Sequence, residues 1–155
     1  MPGIDECLDE VMALPGARGA AVVEWISGLA LGAVGASPND DHEVTAAETA
    51  EIARLASEYA AFAHDPASPA APFSPYADFA DDAPLPPGAD GDTVRIGTPV
   101  EDIIVTTRTG HHLLHFVDTP FDSGVFLHLW LDRADGNLAL ARLRLRDLAE
   151  RLALR

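Results

Sequence analysis

Six histidines in a chain of 155 residues raise the first chemical possibility. His115 and His128 sit on two β-rich runs joined by the turn from Thr119 to Gly124. If the runs pair about that turn, His115 lies opposite His128, and two imidazoles at cross-strand distance could share a zinc ion or a proton. No Asp, Glu or Cys is placed to complete four ligands, and a register slip of one residue would part the two rings. The expectation is therefore no metal, with partly buried imidazoles hydrogen-bonded on a sheet face. His111 and His112, at a hairpin entrance, are expected to be solvated.

The other chemistry-bearing residues read as structural. Gly28, Gly32 and Gly35 lack the GxGxxG spacing, have no following GK[ST], and lie within a hairpin, so no phosphate loop is expected. Ser27 in WISGL is not the nucleophile of a GxSxG elbow, because Ile26 takes neither the Gly place nor a strand-to-helix turn. Glu101-Asp102 and Asp40-Asp41 point to different sides of an extended chain or cap a helix. Cys7 is the one cysteine, with no partner for a disulfide or a CxxC site, and reads as a core thiol in a reducing compartment. Catalytic residues and a cofactor are not expected.

Elements to position these residues follow from periodicity. Ile4, Cys7, Leu8, Val11 and Met12 recur at helical spacing, with Asp5, Glu6, Asp9 and Glu10 opposite and Pro15-Gly16 as the stop. Gly19–Trp25 and Leu29–Val34 form a hairpin around Ser27-Gly28. Asp41 is placed to cap a second helix, and Thr45-x-x-Glu48 to form a capping box a turn later. That helix runs to about Ala63, and its Ile52-Leu55-Tyr59-Phe62 stripe is expected to bind the sheet.

Residues 64–92 hold seven of the twelve Pro, six Asp and no cation, and read as an inserted loop in one domain spanning 1–155. Within it Pro66, Pro69, Pro72 and Pro75 share one face of a polyproline II repeat, and Phe73, Tyr76, Phe79 and Leu85 could fold back on the domain. Asp102–Thr107, His112–Asp118 and Val125–Asp132 then form a meander. Leu138, Ala141, Leu145, Leu148 and Leu152 make one stripe of a final helix, and Leu140, Leu143 and Leu154 a second. Two stripes imply two neighbours, the sheet and the first helix.

In this order, α-β-β-α-β-β-β-α, the chain resembles the roadblock or dynein-light-chain family, which includes the B subunit of the bacterial Mgl polarity switch. The resemblance rests on Pro15-Gly16, Gly19-Ala20-Ala21-Val22-Val23, Gly28-Leu29, the alanine-rich second helix and Asn137-Leu138. Ser27 and the insert depart from the family pattern. The resemblance implies an α+β fold: a five-stranded antiparallel sheet with the second helix on one face and the first and last on the other. It also implies homodimers that pair the third strand with its copy, through Ile103, Ile104 and Val105, and lay the second helices side by side. Its members are non-enzymatic regulators or scaffolds for small Ras-like GTPases or motor complexes. Glu48, Glu51, Arg54 and Glu58 on the second helix are then the partner-binding candidates.

Charge narrows the partners. Ten Arg and no Lys face 25 Asp and Glu, a formal net charge of −15, which repels nucleic acid and anionic membrane surfaces. The last helix is the cationic exception. No apolar run reaches the roughly 18 to 20 residues of a membrane span, and the acidic first residues do not read as a signal peptide. A cytoplasmic protein is expected. The second reading is a profilin-like sensor module that binds a small ligand or a regulatory domain, which a cleft of convergent polar groups on one sheet face would favour.

Overall fold

The computed structural model describes residues 3–63, 100–117 and 124–153. The insert 64–92, with its proline repeat and Phe73, Tyr76, Phe79 and Leu85, lies outside them, as do Asp118, residues 119–123 and Leu154.

The first helix, α1 (Ile4–Met12), buries Cys7, Leu8 and Val11 and keeps Asp5 and Glu6 in its first turn, where carboxylates favour the positive helix end. Gly16, at φ +78, turns the chain into β1 (Ala17–Glu24); a Cβ there would meet the Gly136 backbone at 2.6 Å. Five successive buried residues, Gly19 to Val23, mark β1 as a central strand covered on both faces. A turn with Gly28 at φ +73 leads to β2 (Leu29–Gly35).

Helix α2 (His42–Glu58) is capped by Asp41, whose Oδ1 accepts from the Glu43 and Val44 amides at 2.9 and 3.3 Å. The capping box at Thr45 and Glu48 does not form. Thr45 already sits in the first turn, and its hydroxyl donates to Asn39 Oδ1 and lies 2.7 Å from Ser37 Oγ. Nor is the helix continuous to Ala63: Tyr59 is extended, at ψ 128, and a single turn, α3 (Ala60–Ala63), follows.

Strands β3 (Asp102–Thr106), β4 (Gly110–Val117) and β5 (Val125–Asp132) form the expected meander, and α4 (Leu138–Ala153) closes the chain. All pairings are antiparallel, in the order β2-β1-β5-β4-β3, so β2 and β3 are the edges. On one face α1 and α4 bury Leu8, Val11, Leu145 and Leu148 against Leu113, Leu127, Leu129 and Leu131. On the other, Ala46, Ala50 and Ala53 of α2 meet Ala21, Val23, Leu114, Phe116 and Phe126. The first α4 stripe is the buried one. The second does not find a neighbour among the described residues: Leu140 and Leu143 are exposed. Arg151 instead ties α4 to α1 through both carboxylate oxygens of Glu10, and that hydrogen bond holds the Glu10 carboxyl below its usual range.

Candidate interaction surface

Helix α2 is turned opposite to expectation. Its buried side is Thr45, Ala46, Thr49, Ala50 and Ala53, all small. Ile52, Leu55, Tyr59 and Phe62, which the stripe argument placed on the sheet, are 41%, 46%, 54% and 54% exposed. The reason is distance: alanines let a helix axis approach the sheet closely, and a large side chain on that side would hold it off. A Cβ at Gly28 would make only an ordinary contact, 3.5 Å from Ala47 Cα, so glycine is needed there for its φ of +73. Outward, Val44, Ile52, Leu55 and Tyr59 make an apolar strip around Glu48, with Glu51 and Glu58 beside it, all exposed. Arg54 is half-buried and pairs with Glu51 at 3.3 Å. The sequence reading omitted Val44; its spacing of four from Glu48 was the available signal.

On the same face of the sheet Leu114, Phe116, Phe126 and His128 of the central strands are buried. Helix α2 packs on β1 and β2, while β3 carries Ile103 and Val105 on this side. Ile103 is half-buried against the α2-side cluster, Ile104 against the α1/α4-side cluster, and Val105 is exposed.

The two edges differ. Thr107 N–H donates to Gly110 O at 2.8 Å and Phe116 N–H to Glu101 O at 3.0 Å. Antiparallel pairs alternate, so Asp102, Ile104 and Thr106 turn their N–H and C=O groups away from β4. The β3 register is regular over all five residues. On β2 the register shifts between Val22 and Val23 of its partner strand, and His42 Nε2 lies 3.0 Å from Gly35 O. A bulge and a covering side chain are the usual protections of an edge, and among the described residues β3 has neither.

The histidines pair differently from expectation. His115 stands opposite Leu127 and His128 opposite Leu114, so the register is one residue away from the expected one and the two rings lie on opposite faces. His112 takes the place assigned to His115: its Nδ1 is 3.1 Å from His128 Nε2. Neither His111 nor His112 is simply solvated; both are half-buried, and His111 Nδ1 is 3.0 Å from the Thr106 hydroxyl. Beyond His112 come Trp130, its ring nearly parallel at 6.1 Å, and the Arg18 guanidinium, 4.2 Å from the Trp130 ring centre. Burial, with His112 and His42 adding, pushes His128 down to about 3. Among the described residues no group of three or more His, Cys, Asp or Glu could hold a metal ion.

On the far face a cleft of about 350 Å³ lies between β3 and α4, lined by Asp102, His115, Arg142, Leu143 and Arg146. Its cations are engaged: Arg142 Nε donates to Asp102 Oδ2 at 2.8 Å, and Arg146 Nε lies 3.5 Å from Glu150 Oε1. No helix among the described residues is long and apolar enough to cross a membrane.

No family model and no curated protein matches this chain. Solved structures do. Myxococcus xanthus MglB superposes with a TM-score of 0.65 at 16% identity, over 97% of this chain and 85% of that one. A structure described as MglB with tetrameric arrangement gives 0.64, also at 16% identity and over the same shares. MglC from Myxococcus xanthus gives 0.50 at 18% identity, over 97% of both chains. At such identities the likeness is one of fold. The roadblock-type α+β fold implied by the sequence is the fold this chain adopts.

Proposed function

We propose that this protein is a non-enzymatic, homodimeric regulator or scaffold for a small Ras-like GTPase, with the outer face of α2 as its platform. The observation that carries the reading is the inverted helix: alanines against the sheet and Val44, Ile52, Leu55, Tyr59 and Phe62 in solvent. A helix that directs its large apolar side chains outward requires a partner for them. A two-fold that joins β3 to β3 would bring a second α2 to this side of the sheet. The outward amides of Asp102, Ile104 and Thr106 support that pairing, with Ile103, Ile104 and Val105 at the joint. Self-association also suits the likeness to MglB, one of whose structures is described as tetrameric.

Glu48, Glu51, Arg54 and Glu58 border the apolar strip and are the residues proposed to select the GTPase by charge. The profilin-like alternative has the β3–α4 cleft in its favour, but the carboxylates already holding Arg142 and Arg146 leave that cleft little charge for a ligand. The test pairs two variants. Thr106→Pro removes an outward N–H without touching the β3–β4 ladder, and light scattering should find a monomer. Reversing charge in Arg54→Glu with Glu58→Arg should leave the dimer whole and weaken binding of nucleotide-loaded Ras-like GTPases from the source cell. Wild type that binds none of these GTPases contradicts the reading.

A further inference from the structure

The platform makes no use of the most deeply buried ionisable group on its own side of the sheet. His128 is 4% exposed, flanked by Ala21 on β1 and Leu114 on β4, both in the cluster that the α2 alanines cover. Among the described residues its hydrogen-bond partner is another imidazole. The His112 and His128 rings have centroids 5.3 Å apart and planes 11° apart, with facing nitrogens at 3.1 Å. The centroids are farther apart than the nitrogens by about the two ring radii, so the rings lie edge to edge in nearly one plane. That is the geometry of a directed N–H···N bond. One nitrogen donates, and the neutral pair shares a single proton across the gap.

The surroundings do not welcome a second one. From β1 comes Arg18, across Trp130. From α2 comes His42, which adds to the lowering at His128, and His111 does the same for His112 along β4. Asp41 and Glu43 are near in sequence, but the Asp41 carboxylate is engaged by the α2 amides. No Asp or Glu among the described residues forms a hydrogen bond or ion pair with either ring. The helix end above the pair is the positive one. In a chain of charge −15, the described residues bring Arg18 and the α2 N-terminus toward this pair and no carboxylate into a hydrogen bond with it.

We infer that the His112–His128 pair is an acid-sensitive latch for α2: a further proton on the pair loosens the N-terminal half of the helix from the sheet. The proton goes to His112, the half-buried ring, whose Nδ1–H then donates to a neutral His128. His128 lies beside Ala21 and Leu114 in the cluster that the α2 alanines cover, so water reaches that end of the charged pair only when the N-terminal half of α2 lifts. The inference is independent of what binds the outer face, because its readout is the helix itself.

Native-state amide exchange on the full chain tests it, at pH 7.5, 6.5 and 5.5 and corrected for intrinsic rates. Opening of amides 46–53 should rise about fivefold between pH 6.5 and 5.5, the factor for one proton taken up on opening by a ring that then titrates near 6.5. Amides 141–149 of α4 should stay protected. In His128→Gln, which keeps a hydrogen-bonding group toward His112, the rise in α2 should fall below about twofold. Equal acceleration in the variant, acceleration of α4 alongside α2, or none in wild type overturns the inference. Should His128→Gln fail to fold, the imidazole proton resonances of wild type decide. Two rings titrating together well below pH 6.5 support the latch, and independent titration near 6.5 contradicts it.

Discussion

The two sides of the sheet are built on opposite plans. Under α1 and α4, large side chains point inward: Leu8, Val11, Leu145 and Leu148 are almost wholly buried, and the polar residues face out. Under α2 the inward residues are alanine and threonine, and the large ones face solvent. A helix of the first kind is held by the apolar area it removes from water. A helix of the second kind is held by close fit and a good N-cap, with its largest apolar area left for another molecule. The difference separates the side that makes the domain stable from the side proposed to make it useful.

Truncation on each side should break the comparison most visibly if it is wrong. Leu148→Ala on α4 should cost about 2 to 5 kcal/mol in denaturant unfolding, whereas Leu55→Ala on α2, measured in a monomeric background, should stay within about 0.5 kcal/mol. Comparable losses at both positions would mean that α2 is held like α4. Enlarging a residue sharpens the other half of the contrast. Ala50→Leu should lose about 1 to 3 kcal/mol by forcing α2 off the sheet, read as a lower denaturation midpoint at unchanged slope.

Stability against pH draws on both sides. His128 is neutral in the folded state down to about pH 3 but titrates near 6.5 when unfolded. Stability from this residue is therefore complete above pH 6.5 and is lost as pH falls below it, by about 1.4 kcal/mol per pH unit. Burial also lowers His112 and, against the pull of Asp102 and Glu101, His115, so all three act in the same direction. Melting curves between pH 7.5 and 5.5 should show the decline, and His128→Leu should flatten it. The smallest effect belongs to the cap: Asp41→Ala should cost about 1 kcal/mol, seen as a lower melting temperature without loss of the fold.

Much of this was legible in the residues, and the misses have a common cause. Strand β5, the first hairpin, α1 and the buried stripe of α4 followed from period and turn chemistry, which act locally. The orientation of α2 did not. Counting hydrophobicity sends Ile52, Leu55, Tyr59 and Phe62 inward, yet alanine and threonine win the inward side because the separation of helix and sheet is set by tertiary contact. The histidine pair was missed by one residue for a related reason. Register across a long connection depends on the turn, and a slip of one moves a side chain to the other face. Centring the pair on the turn from Thr119 to Gly124 puts His115 opposite His128, one residue from the observed register. The free edge at β3 was visible as a β-branched run, but the protection of β2 by His42 was not, since it joins residues from separate elements.

The outer face of α2 is the centre of this account, and the molar mass in solution tests it most directly. Light scattering at tens of micromolar should give twice the chain mass of 16.4 kDa for wild type and a single chain mass for Leu55→Asp, with the variant's melting curve retaining the cooperativity of a folded domain. A wild-type monomer at that concentration, or a Leu55→Asp variant that remains a dimer, would contradict the claim.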